Sequence, residues 1–274
     1  MFLKTIKSIV FFTLILSFVS CSEYQKMLNN PDTNLKYKAA EVYYKEGEYK
    51  KANRIFEQIV PTYRGKPQAQ RIIYFYANSY FQIRDYNLSA YQFESFVKSY
   101  PKSDRAQEAY FMAAKSYYML SPRFSLDQQD TYKAIDKLQI FLDNYPDGEF
   151  SDDANTLISE LQVKLEKKFF EISKKYYTIR DYKASINAFD SFISDFPGTP
   201  FKEEALYYKF LSNYELAINS IFDKKEERLV EAKELGDSLL DYFPESLFLE
   251  DIEKKFKNIE KELTSFDQPT TNTK

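Results

Sequence analysis

The chain has 274 residues, 38 of them basic and 41 acidic, and contains five glycines, a single cysteine and no histidine. Without histidine there is no imidazole base, triad or metal ligand, and so few glycines leave no phosphate-cradling loop or dinucleotide fingerprint; no catalytic residue, metal or cofactor is expected. A formal net charge of −3 also argues against nucleic acid as a partner, because that needs a clustered basic surface.

The first twenty residues read as a secretory signal. Lys4 and Lys7 form a positive start, and Ile9 to Val19 an apolar run too short to span a bilayer, which takes about 20 apolar residues. Phe18-Val19-Ser20-Cys21 resembles a bacterial lipobox, with Phe in place of the usual Leu. That resemblance implies cleavage before Cys21 and acylation of its thiol and new amino group, giving a tether to the outer membrane from its periplasmic face. Loss of Lys4 and Lys7 would leave 36 basic residues against 41 acidic ones. Residues 21–33 are expected to be a lipidated linker and 265–274, polar and aperiodic, a disordered tail.

Between the ends the sequence repeats. Ala40-x-x-Tyr43, Tyr49-Lys50-Lys51-Ala52-x-x-x-Phe56 and Tyr63 recur 37 residues later as Ala77-x-x-Tyr80, Tyr86-Asn87-Leu88-Ser89-x-x-x-Phe93 and Tyr100-Pro101. A third copy has Ala114, Tyr117, Ala134, Leu138, Phe141 and Tyr145-Pro146, with an insertion between Leu120 and Asp130. The fourth has Ser173, Tyr176, Tyr182, Ser185, Phe189, Phe192 and Phe196-Pro197; the fifth, weaker, reads Leu211-x-x-Tyr214, Ala232, Leu239 and Phe243-Pro244. Each copy resembles the tetratricopeptide repeat, a helix pair whose small residues allow close crossing. The aromatic-Pro stop ends the second helix, since proline cannot donate the intrahelical bond. Ser103, Ser151 and Thr199 are expected as N-caps, with Pro200 at a first helical position. From Ser151 to Thr178 apolar residues keep helical phase without Pro or Gly, predicting one helix of roughly 40 Å at about 1.5 Å per residue. The expected fold class is all-α, a tetratricopeptide-like α-solenoid of about five helix pairs with one long connecting helix: repeats one to three over 34–150, the long helix and repeats four and five over 151–264.

In such a stack the first helix of each pair lines an inner surface. The positions beside its packing residues hold Tyr37 and Tyr44, Tyr74 and Phe81, Phe111 and Tyr118, then Phe170 and Tyr177. These rings either belong to the core or form a trough suited to an extended or helical peptide rich in aromatic side chains. The charge runs, such as Lys224-Lys225-Glu226-Glu227, read as a solvated helix face.

The lipobox cysteine, the short linker, the ordered repeats, the Asp127-Gln128-Gln129-Asp130-Thr131 insertion, the Tyr145-Pro146-Asp147-Gly148-Glu149-Phe150-Ser151-Asp152-Asp153-Ala154 junction and the long helix together resemble the BamD family, lipoprotein subunits of the outer-membrane β-barrel assembly machinery, over about residues 21 to 262. The resemblance implies a non-enzymatic scaffold. Its amino-terminal pairs would receive the terminal targeting segment of unfolded outer-membrane proteins, a segment that typically ends in an aromatic residue. Its carboxy-terminal pairs would dock on a BamA-like barrel assembly subunit. Better-known members carry a partner-docking arginine in the second helix of the fourth pair, where this chain has Ile186-Asn187-Ala188; Arg180, one turn earlier, is the available substitute. The alternatives are a periplasmic adaptor of envelope or division proteins of the Tol-associated type, and a lipid-anchored hydrolase using paired carboxylates. The adaptor usually carries a heptad segment that is missing before Asn34, and the hydrolase would need an acidic rather than an aromatic groove.

Overall fold

The structure, a computed structural model, describes residues 23–266, so the signal segment, Cys21 and nearly all of the polar tail lie outside the described residues. Among the described residues all regular structure is helical: the fold is all-α and tetratricopeptide-like. A short helix α1 (residues 23–28) precedes the pairs α2 (Thr33–Lys45) with α3 (Tyr49–Tyr63), α4 (Ala69–Gln82) with α5 (Tyr86–Ser99), and α6 (Ala106–Leu120) with α7 (Gln129–Asn144). Then come α8 (Ser151–Thr178), α9 (Tyr182–Asp195), α10 (Lys202–Ile218), α11 (Phe222–Tyr242) and α12 (Leu249–Leu263).

The chain divides into two compact units. The first holds the described residues up to Pro122 together with Asp127–Ser159, and the second holds Arg123–Leu126 and the residues from Glu160 onward. The division therefore runs through α8 rather than at its start, and the tip of the α6–α7 insertion belongs with the later residues. Lys168 Nζ donates to the Leu126 carbonyl at 2.6 Å, and Lys167 lies 4.9 Å from the Phe124 ring, which fixes that tip to α8. The expected linker is also partly structured. Tyr24 of α1 meets the Tyr43 ring edge-on at 5.6 Å, and Met27 and Leu28 pack on the first pair.

Each aromatic-Pro stop works through the backbone. Tyr100, Tyr145, Phe196 and Phe243 are C-caps with φ between −126 and −138°, the extended range that a following proline imposes. Each still donates its N–H to the carbonyl four residues back, at 2.8–3.0 Å. The expected N-caps sit differently. Ser103 and Thr199 accept from the N–H groups of Arg105 and Phe201 in a one-turn lead-in, and α6 and α10 begin only at Ala106 and Lys202, so Pro200 precedes the helix. Ser151 is already the first residue of α8; its hydroxyl donates to Tyr145 and accepts from the Gly148 N–H.

Within the pairs, Ala40, Ala77, Ala114, Ala52, Ser89, Ala134, Ser185 and Ala232 are buried at the crossings, as their small size allows. Four residues after each small residue of the second helix comes Phe56, Phe93, Leu138 or Phe189, all fully buried. Hydroxyls fix the register between successive pairs. Ser89 and Ser116 are hydrogen-bonded at 2.9 Å, Ser185 and Ser212 at 2.8 Å, both 27 residues apart, and Asn53 with Ser79 at 2.9 Å makes the same link between α3 and α4.

This register corrects the fifth copy by one residue. With Ser212 in the place of Ser116, Phe210 rather than Leu211 stands at the small crossing position, and Tyr207 and Tyr214 take the places of the aromatic pair. A large residue fits there because the facing position, four after Ala232, is Gly236. A Cβ built on Gly236 would lie 3.0 Å from the Phe210 ring and 2.5 Å from Phe256 of α12. The fifth pair thus exchanges small and large, and α12 adds the missing ring from outside.

In the first, second and fourth pairs the first helix turns into the second through one left-handed residue: Gly47 at φ 77°, Arg84 at 66° and Arg180 at 63°. The following N–H groups of Glu48, Asp85 and Asp181 reach the carbonyls of Tyr43, Tyr80 and Tyr176 at 2.8–3.0 Å, the Schellman closure that glycine normally serves. A side chain in that conformation costs about 1–2 kcal/mol, partly offset because glycine loses more backbone freedom on folding. Arg180→Gly is therefore expected to stabilise the second unit by about 0.5–1 kcal/mol, read as a higher urea midpoint at unchanged slope. A lower midpoint would show that the arginine side chain makes a compensating contact.

Along α8 the buried face changes. Ala154, Ile158, Leu161 and Leu165 are buried, but Phe169, Ile172 and Tyr176, which continue the helical phase, are 41, 44 and 38% exposed, while Phe170 and Ser173 are buried instead. Periodicity alone did not distinguish the two faces, because both are apolar over residues 165–177.

Candidate functional site

In the first unit α2, α4 and α6 bring side chains to one surface. The Tyr37 hydroxyl donates to Glu41 at 2.8 Å, and Arg71 of α4 pairs with the same carboxylate at 2.7 Å. Tyr44, two turns beyond Tyr37, stacks on Phe75 with centroids 4.6 Å apart and donates to Asn78 Oδ1 at 2.7 Å. The guanidinium carbons of Arg71 and Arg105 lie 5.4 and 5.8 Å from the Phe75 centroid, within cation–π range, and Arg105 lies 4.4 Å from Tyr74. Beside them opens a cleft of about 400 Å³ lined by Gln70, Arg71, Phe75, Ser103, Asp104 and Arg105. Burial pushes the Tyr44 hydroxyl up to about 12; burial and the Glu41 hydrogen bond do the same for Tyr37, again to about 12. Both remain protonated donors across the physiological range.

The aromatic positions read from the sequence divide between groove and core. Tyr37, Tyr44, Phe81 and Tyr118 are half-buried, each with part of its surface accessible. Tyr74 and Phe111 are 3 and 2% exposed, and Phe170 is 2% exposed; for these three the trough reading fails. Each lies three residues before the crossing position and turns toward the second helix of its own pair. Tyr74 meets Phe93 and Phe96 at 5.6 and 5.9 Å. Phe111 meets Phe141 at 5.6 Å and stacks on Phe150 at 5.0 Å, and Phe170 is enclosed by Phe189, Phe192 and Phe201. Tyr177 is half-buried against Tyr182 and Tyr208.

Sequence reasoning missed Glu41, Arg71, Phe75 and Arg105, because it searched the inner surface for rings at two fixed positions. A signal was present: Arg71 and Glu108 stand 37 residues apart, at equivalent places with opposite charge. In the second unit Arg180 is exposed on the α8–α9 turn, and Asp181 beside it caps α9 by accepting from the Ala184 N–H at 3.2 Å. Ile179, next to Arg180, is 62% exposed.

No described helix is long and apolar enough to cross a membrane. No curated protein matches the chain. Among solved structures, the TPR2AB-domain:pHSP90-complex of yeast Sti1 aligns at 11% identity with a TM-score of 0.37, covering 83% of this chain and 98% of that one. The sequence model of YfiO, described as Outer membrane lipoprotein, matches residues 29–229 and, in a second alignment, 166–273. Between them these matches take in nearly every described residue, and the chain belongs to the YfiO family of outer membrane lipoproteins.

Proposed function

We propose that this lipoprotein is a scaffold subunit of the outer-membrane β-barrel assembly machinery. Tethered through Cys21 to the periplasmic face of the outer membrane, it receives the terminal segment of unfolded barrel proteins on its first unit and docks through its second on a BamA-like assembly subunit. The observation that carries the reading is the inner surface of the first unit, where Tyr44 stacked on Phe75, Tyr37 and two arginines offer flat apolar faces and guanidinium donors to a segment ending in an aromatic ring. For the second unit, Phe169, Ile172, Tyr176 and Ile179 form an exposed stripe ending beside Arg180, a surface of the kind that marks an interaction site.

Binding of a labelled peptide from the end of a barrel protein to the full-length lipoprotein in detergent tests the groove. Tyr44→Ala with Phe81→Ala is expected to weaken capture at least tenfold, since aromatic ring contacts contribute on the order of 1 kcal/mol each beyond their burial. Equal affinity would remove the groove from the proposal. Depletion in cells is expected to lower several outer-membrane barrels together; loss of a single envelope protein would favour an adaptor role instead.

A further inference from the structure

We infer that the cleft between Arg71 and Arg105 takes the free terminal carboxylate of the bound segment, so that the site reads the end of a chain and not merely its aromatic side chains. The inference rests on the peptide-binding reading above and assigns the chemistry of one end of that groove.

The two guanidinium groups flank Phe75, the ring on which Tyr44 stacks, and both are about half exposed at 54 and 47% of their side-chain surface. They are held in place before any ligand arrives. Arg71 is fixed by Glu41, which also accepts from Tyr37; Arg105 lies over Tyr74 and 3.5 Å from Glu108. Each carboxylate is thus answered by an arginine. A guanidinium carries five N–H donors in a rigid fork, more than one carboxylate can occupy, so each arginine can hold its resident partner and an incoming one. The cleft of about 400 Å³ is of a size for one terminal residue, with Phe75 as the face its ring would lie on and the arginines at hydrogen-bonding reach of its carboxylate.

The same charges set what the cleft refuses. Glu41 pairs with Arg71 and Glu108 with Arg105, and Asp104 lines the cleft, so the cleft has no excess positive charge with which to attract a polyanion. One carboxylate placed between the two forks gains charge-assisted hydrogen bonds, whereas a run of acidic residues or a phosphate chain would add further negative charge beside Asp104. The ligand class is therefore a peptide with a single terminal carboxylate following an apolar or aromatic residue.

The test uses the full-length lipoprotein in detergent and two labelled decapeptides from the end of a barrel protein, identical except that one ends in a free carboxylate and the other in an amide. Wild type is expected to bind the acid at least tenfold tighter than the amide, and the difference is expected to shrink as salt is raised. Arg71→Gln with Arg105→Gln should bind both peptides alike, at about the wild-type affinity for the amide. Comparable tight binding of acid and amide by wild type would overturn the carboxylate assignment and leave the aromatic groove standing. If wild type captures neither peptide, the groove reading fails and the assignment with it. The acid-to-amide ratio of the wild-type protein needs no variant, so an unstable double variant would not obscure the outcome.

Discussion

Gly236→Ala is expected to destabilise the second unit by about 1–3 kcal/mol, although alanine is the better helix former by about 1 kcal/mol. The reason lies in the exchange of large and small residues in the fifth pair. In the earlier pairs a buried Phe or Leu of the second helix faces a small residue of the first; here Phe210 and Gly236 have traded sizes, and α12 inserts Phe256 into the remaining space. A methyl group on residue 236 would lie 2.5 and 2.6 Å from two ring atoms of Phe256 and 3.0 Å from Phe210, distances that no Cβ tolerates without movement of a ring. Phe256 is only half-buried, so it can yield, but its departure uncouples α12, whose Ile252 and Ile259 pack on α10 and α11. Thermal unfolding monitored by circular dichroism is expected to begin several degrees lower. Placing Gly236→Ala in a Phe256→Leu background should cost less than the sum of the two changes, with a coupling of about 0.5–3 kcal/mol. Additive costs would mean that the clash is not with Phe256.

Most of the fold was legible because its determinants are local. The aromatic-Pro stops fix where α5, α7, α9 and α11 end, since both the missing N–H of proline and its restriction of the preceding residue act within one turn. The 28 residues of α8 were readable for the complementary reason, an unbroken helical phase without Pro or Gly. The fifth pair was misread by one residue because its diagnostic feature is not local. Phe210 at a small position makes sense only when Gly236 and Phe256 are seen opposite it, and a search for Ala-x-x-Tyr settles instead on Leu211 and Tyr214. The left-handed turns at Arg84 and Arg180 were hidden similarly. Gly47 announces its conformation, but an arginine announces only charge, and the shared Ile-Arg-Asp-Tyr sequence of the two turns gains its meaning from the backbone.

The site was less legible than the fold, because two aromatic positions a helical turn or two apart carry the same composition whether they face the groove or the partner helix. Tyr74 and Tyr44 illustrate the difference. Both are tyrosines beside a crossing alanine, yet Tyr74 turns into the pair and Tyr44 stacks across to the neighbouring helix. Tyr74 packs on Phe93 and Phe96 of its own second helix, whereas Tyr44 touches Tyr49 and Phe56 of its own second helix and also reaches Phe75 of the next pair.

Tyr74→Ala is accordingly expected to act on stability first and on binding second. The side chain is 3% exposed and contacts Phe75, Phe93 and Phe96, and Glu108 is close enough to its hydroxyl to help raise its pKa. Truncation of a buried ring of this size costs about 3–5 kcal/mol, and here it also removes the surface on which Arg105 rests. Tyr74→Phe separates the two contributions. It keeps the ring and its packing and removes only the hydroxyl, so it is expected to cost about 1–2 kcal/mol, from the lost polar contacts of the hydroxyl, and to leave peptide capture within a few fold of wild type. Tyr44→Ala should show the opposite balance, with a smaller loss in urea midpoint and a larger loss in affinity, because that half-buried ring presents part of its surface to the groove. If Tyr74→Ala left the midpoint unchanged while abolishing capture, Tyr74 would have to be reachable by the peptide, and the division of the rings between core and groove would be wrong. The hydroxyl adds a directional check. Burial and the nearby Glu108 both raise the Tyr74 pKa, so the native state holds that proton more tightly than the unfolded chain, and the stabilisation is complete below the ordinary tyrosine pKa of about 10 and is lost as pH climbs beyond it. In Tyr74→Phe the alkaline loss of stability should be correspondingly smaller, measured as urea midpoints from neutral to strongly basic pH.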